Sequence, residues 1–87
     1  MKMRIYGLQI HNENGIDLDE LYLFENFEDM CAEFKNKLTY HRNISKSLCA
    51  IEEPTLDEVD NEVYGMFEVK NSDDSVTIAR CFDYDVM

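Results

Sequence analysis

Basic residues are scarce in this chain: 87 positions hold 8 Lys and Arg against 19 Asp and Glu, a formal net charge of −11 with histidine neutral. Affinity for phosphates comes mainly from Lys and Arg that displace counterions, so the shortage argues against direct nucleic-acid binding. The same field disfavours an anionic membrane surface. Long apolar runs are missing as well, and no segment approaches the roughly 20 apolar residues that span a bilayer. The stretch after Lys2 is broken by Arg4, Gln9 and His11 before it could form the apolar region of a signal peptide. The expectation is a soluble, cytoplasmic protein with no membrane partner. Three cysteines, Cys31, Cys49 and Cys81, are an odd number with no close pair, which predicts reduced, buried thiols and no disulfide framework. A single Pro and three Gly leave no linker or low-complexity stretch, and no internal repeat divides the chain. Residues 1–87 read as one compact domain.

Signatures of chemistry are equally sparse. His11 and His41 lie 30 positions apart, and no Cys or His stands at the two-to-five-residue spacing of roughly tetrahedral zinc sites, so both read as surface histidines and no metal is expected. Aligning Gly15 to the glycine of a calcium loop puts Ile10 and Leu21 at the first and last ligand positions, where neither supplies an oxygen side chain. Three isolated glycines cannot cradle a phosphate, and no Cys or Ser has a nucleophile signature around it. The acid pairs Glu52/Glu53 and Asp73/Asp74 would need an apolar wall to split their pKa values, whereas adjacent acids on a polar stretch are solvated. The chain is therefore expected to be non-enzymatic and without a cofactor.

What is present is the material of a folded domain, with 45% hydrophobic residues and ten Tyr or Phe. "MRIYGLQI", residues 3–10, alternates Tyr6, Leu8 and Ile10 against Ile5, as a strand does. "ELYLF", residues 20–24, sets Leu21 and Leu23 against Tyr22 and Phe24 and reads as an interior strand. Asn14-Gly15 between them is a favoured turn pair, so the two form a hairpin with a long acidic connection. Asn26 then reads as a helix N-cap with Glu28 and Asp29 in the first turn. Phe27, Met30, Cys31, Phe34 and Leu38 form one apolar stripe, predicting a helix to about residue 41 or 42. "SLCAI" at 47–51 suits a short buried strand.

Thr55 and Glu58 have capping-box spacing, and Leu56, Val59 and Val63 recur at helical spacing, which predicts a short acidic helix over about 56–63, ended by Gly65. "MFEVK" at 66–70 should pair with the alternating tail across "NSDDS". In that tail Val76, Ile78, Phe82, Tyr84 and Val86 face one way, with Arg80 among them, and Thr77, Ala79, Cys81, Asp83 and Asp85 the other. The expected fold class is α+β: an antiparallel sheet of four to five strands, one long helix on one face and a second short acidic helix.

Charge is segregated along this order. Residues 13–33 carry −8 and 52–68 carry −7, while 34–51 carry +4. The basic stretch, with Lys35, Lys37, Arg42 and Lys46, complements a helix C-terminus and the protein's own acids. The acidic clusters have a bland explanation in solubility and a sharper one in a cationic partner. On the short helix, like charges at i,i+3 and i,i+4 cost roughly 0.2–0.5 kcal/mol per pair, and carboxylates about 5–6 Å apart would present a row of negative charge as a phosphate backbone does. The candidate partner-binding residues are Glu52, Glu53, Asp57, Glu58, Asp60 and Glu62, with Asp17, Asp19 and Glu20 from the first acidic block.

Size, acidity, the α+β layout and the lack of catalytic motifs together resemble the small acidic inhibitors encoded by phages and other mobile elements, anti-CRISPR and anti-restriction proteins among them. The resemblance is one of class and assigns no residue. It implies a protein that occupies the basic, nucleic-acid-binding surface of an effector. The alternative is a small homo-oligomeric regulatory or interaction module, such as a homodimer, whose acidity serves only solubility and whose interface draws on Tyr22, Phe24, Tyr84 and Val86.

Overall fold

The computed structural model describes residues 3–13, 19–57, 59 and 62–86. Its elements are β1 (Met3–Glu13), β2 (Glu20–Phe24), α1 (Phe27–Ile44), β3 (Ser47–Asp57), β4 (Glu62–Lys70) and β5 (Val76–Val86). All strand pairings are antiparallel, in the order β2-β1-β5-β4-β3. One helix covers one face of the sheet, so the α+β expectation stands, with five strands. The Asn14-Gly15 turn lies outside the described residues.

The helix forms for the reasons its sequence advertises. Asn26 sits at the N-cap in extended geometry, and its side-chain oxygen accepts the Asp29 N–H at 2.9 Å. The Ser45 N–H closes the other end on the His41 carbonyl at 2.9 Å, two or three residues past the expected stop, because nothing between Arg42 and Ile44 breaks a helix. Met30 and Phe34 are buried, and Phe27, Cys31 and Leu38 pack at the margin of the core. Facing them are Leu8, Ile10, Val63, Phe67, Val69, Ala79 and Cys81 from the sheet. Phe34 meets Phe67 edge-on at 5.5 Å between ring centroids. In β5 the small set Thr77, Ala79 and Cys81 is the one under the helix, which leaves room for those two rings. The larger set, Ile78, Phe82 and Tyr84, lies on the face away from it. A Cβ on Gly7 would collide with the Phe82 ring, so the absent side chain there is what lets Phe82 lie over β1.

Expectations for the short helix, for two of the strands and for the burial of Cys49 fail. The short acidic helix is not formed: residues 56–57 end β3 and 62–63 begin β4, with Leu56 paired to Val63 and Asp57 to Glu62. Two apolar residues seven apart suit a helix, but they equally suit opposed positions of a hairpin, and Val59, at 93% exposure, stands at the turn. The Asp57 side chain accepts the Val59 N–H at 2.8 Å, a local turn contact that competes with helix. Gly65 is accordingly no helix stop. It lies within β4, where a Cβ would fall 2.9 Å from the Pro54 Cα and 3.0 Å from the Cys81 sulfur.

β3, likewise, is neither short nor buried, and its residues 47–53 are all exposed. It is an edge strand, as is β2, which was expected in the interior; Leu21 and Leu23 are 59% and 51% exposed.

Among the cysteines, Cys81 is buried, Cys31 half-buried and Cys49 exposed, all as free thiols. Burial pushes the Cys81 thiol up to about 12 and raises that of Cys31, which disfavours the thiolate at both.

Candidate functional site

The acidic residues singled out in the sequence do not gather in one place. Glu52 and Glu53 are exposed on edge strand β3, and the half-buried Asp57 faces exposed Glu62 across the β3–β4 hairpin. Asp19 and Glu20 lie at the start of β2, the opposite edge of the sheet. Asp17, Glu58 and Asp60 fall outside the described residues. The helical row of carboxylates is therefore replaced by two separate acidic margins with different surroundings.

At the β2 margin the acids are compensated. Asp19 accepts a 2.6 Å contact from His11 Nδ1. Glu20 accepts the Tyr22 hydroxyl at 2.9 Å and lies 3.8 Å from Lys37 Nζ, which is equally far from Glu33 and sits 4.8 Å above the Tyr22 ring. The Tyr22 hydroxyl and the two carboxylates raise the Lys37 pKa, so its charge is fixed there. Arg4, Lys46 and Lys70 also lie beside carboxylates of the chain. Arg4 grips Asp83, with Nε 2.7 Å from Oδ2, while Asp83 Oδ1 accepts the Val63 N–H at 3.0 Å, tying β1, β5 and β4 together. Lys46 and Lys70 flank Asp74 at 3.8 and 3.9 Å. Of the basic stretch, Lys37 and Lys46 thus serve the fold.

The β3 margin is different. From Ser47 to Val69 the sequence holds no Lys or Arg. Glu62 accepts the Tyr64 hydroxyl at 2.8 Å. Glu52 and Glu53 are adjacent on the edge strand, and the register shift after Glu52 separates them from Asp57 and Glu62 at the other end of the hairpin. Exposed like charges on one margin focus a negative potential over it, which salt weakens within about a Debye length.

A second feature escaped the sequence reading. Between the last turns of α1 and the β4–β5 turn lies a polar cleft lined by Asn12, Glu20, Lys37, His41, Asn71 and Thr77. Thr77 Oγ1 accepts from Asn71 Nδ2 at 2.8 Å and from Asn12 Nδ2 at 3.3 Å. Asn12 Oδ1 and His41 Nδ1 are buried and find no hydrogen-bond partner among the described residues. His41 is half-buried rather than superficial, and desolvation lowers its pKa against the opposing pull of Glu20. No spacing in the sequence links Asn12 to residue 71 or 77; strand pairing alone brings them together, through Asn12 opposite Thr77. The neighbouring turn is held by Asp73, which accepts the Ser75 N–H at 2.9 Å and the Ser75 hydroxyl, contacts that lower its pKa. Asp74 there adopts φ +69°, a conformation Asp tolerates better than most residues.

Among the described residues no three His, Cys, Asp or Glu side chains are placed to share a metal ion, and no helix is long and apolar enough to cross a membrane. Comparison with family models, with curated proteins and with solved structures finds no match for the chain.

Proposed function

We propose that the protein is a non-enzymatic acidic binding protein that occupies the basic, nucleic-acid-binding surface of a partner protein, as an inhibitor of the phage-encoded anti-defence kind, anti-CRISPR or anti-restriction. The observation that carries this reading is the β3–β4 margin, where the exposed Glu52, Glu53 and Glu62 stand in a stretch of sequence without a single Lys or Arg. The opposite acidic margin has Lys37 and His11 at hand. A cleft that binds a phosphate backbone is lined with Lys and Arg whose counterions are released on binding, and a carboxylate-studded strand can take that place. Complementary fields of this kind act chiefly on the rate of encounter and on specificity.

The test is capture from a cytoplasmic lysate by the immobilised chain, with Glu52→Gln/Glu53→Gln as the comparison. The reading expects a basic nucleic-acid-binding protein that is retained at low salt, released at high salt, displaced by DNA or RNA and lost with the double variant. Wild type and variant capturing the same proteins equally well would remove it.

A further inference from the structure

From the bare edge of the sheet we infer that the protein self-associates through β2: two copies pair β2 to β2, antiparallel about a two-fold axis at Tyr22, and merge their sheets into one. This goes beyond the acidic-margin reading and does not depend on it. Among the described residues β2 and β3 lie at the ends of the five-stranded sheet, which offers strand addition two sites. β3 is protected by register shifts at Leu48/Ala50 and Glu52/Thr55, by Pro54 and by adjacent Glu52 and Glu53, each a known obstacle to edge pairing. β2 has none of these. Its five residues pair with β1 in unbroken register, from Tyr6 with Phe24 to Ile10 with Glu20.

The strand is also its own complement, which identifies the occupant as a second copy of the chain. With the axis at Tyr22, Leu21 of each copy stands opposite Leu23 of the other, so four leucines meet on the face away from the helix. Each is more than half exposed in the single chain. Glu20 falls opposite Phe24, while the exposed Asp19 and Glu25, just outside the strand, fall opposite each other at both ends of the patch. Moving the axis to Leu21 sets Leu23 against Asp19, and moving it to Leu23 sets Leu21 against Glu25. A two-fold interface uses the same patch twice, and only the Tyr22 register makes this patch apolar against itself. On the same face Leu23 pairs with Gly7, over which the Phe82 ring lies, stacked with Tyr84 at 6.3 Å. The apolar strip thus continues inward from the edge. Tyr22 and Phe24, expected from the sequence to form such an interface, are half-buried against the core under the helix.

Sedimentation equilibrium on the full chain tests the inference. The expected species has twice the 10.3 kDa chain mass, and it tightens as ionic strength rises from about 0.01 to 0.15 M, because two chains of like charge repel less as the Debye length falls from about 30 to 8 Å. Leu21→Lys/Leu23→Lys and Leu21→Glu/Leu23→Glu should each be monomeric and folded, with an unchanged circular dichroism spectrum, and an equimolar mixture should regain the double mass as a heterodimer. In the wild type, amide exchange at residues 20–24 should slow as protein concentration increases. A wild type that stays monomeric at every salt, variants that still dimerise, a mixture that stays monomeric, or concentration-independent exchange in β2 would each overturn the inference. None of these results involves the cationic partner.

Discussion

The two edges of the sheet solve opposite problems. β3 is long, exposed and irregular: two register shifts, a proline and two adjacent glutamates interrupt the surface it offers to another strand. β2 is short, regular and apolar on its outer face. Acid serves both, in different ways. At β2 Glu20 lies beside Lys37 and Asp19 accepts from His11, next to an apolar patch; at β3 Glu52 and Glu53 stand exposed in a stretch of sequence without Lys or Arg. The same residue type therefore borders a regular apolar edge at one margin and interrupts an irregular one at the other, and net charge alone distinguishes neither.

The comparison collapses altogether if the sheet loses its helix, and Phe34 is the residue that holds it. The ring is 1% exposed and lies edge-on to Phe67. Phe34→Ala should cost roughly 3–5 kcal/mol, against a total of roughly 4–13 kcal/mol for a domain of this length. Urea or thermal unfolding should find the variant largely unfolded or strongly heat-labile. A melting temperature within a degree or two of wild type, on the order of the measurement error, would mean that the ring contributes little to the core.

A sharper test removes the guard. Glu52→Thr/Glu53→Thr/Pro54→Thr turns the middle of β3 into an ordinary edge with good strand propensity. If β2 already joins two copies, β3 edges lie at both ends of the joined sheet, and unguarding them creates an open-ended contact that grows into larger assemblies. Light scattering should rise with concentration well beyond the wild-type value. An unchanged mass would show that β3 is kept free by something other than these three residues.

The contrast between the edges was half legible in the sequence. The helix cap, the apolar stripe and the β4–β5 hairpin all appear as local periodicity, because each is decided within a few neighbouring residues. The β3–β4 hairpin was hidden because its register shifts destroy the period-two pattern, and because Pro54, Thr55 and Glu58 satisfy the rules for a helix start as well as those for an edge. Nor does any local pattern encode strand order. ELYLF reads as interior because Leu21 and Leu23 are apolar, and only the topology shows that these leucines face outward. Separation of Asp19 and Glu20 from Glu52 and Glu53, to opposite margins, follows from the same topology.

Lowering the pH probes the β2 side, where the ring of His41 is affected by Glu20 and Lys37. Burial lowers the folded pKa below the ordinary 6.5. Above that value the ring is neutral in both states and contributes no pH dependence. As pH falls below it, the unfolded chain takes up the proton more readily than the folded one, so stability is lost. Urea midpoints should therefore decline from about pH 6.5 downward, before the carboxylates near pH 4 take part, and His41→Gln should flatten that decline. A profile identical in the two proteins would show that the ring is solvated in both states.

The smallest effect on the fold, and the one that decides what the β3 margin is for, is expected from Glu52→Gln/Glu53→Gln. Both side chains are exposed, so their neutralisation should leave stability within about 0.5 kcal/mol, with a slight gain if self-repulsion is relieved. Binding responds differently if the margin meets a cationic groove: affinity should fall by about 1 kcal/mol or more per charge where the pair is desolvated, and by much less at a solvated rim. A control must remove two charges without disturbing structure. Asp73 and Asp74 fail this condition, since Asp73 holds the Ser75 N–H and hydroxyl in the β4–β5 turn. Glu13 and Asp85 are exposed and distant from β3 in strand order, so Glu13→Gln/Asp85→Asn is the better reference. Loss confined to the Glu52/Glu53 variant would place the contact at β3. Equal loss in both would assign binding to the overall field, and no loss in either would leave the glutamates as guards of an edge, with strand exclusion as their whole function.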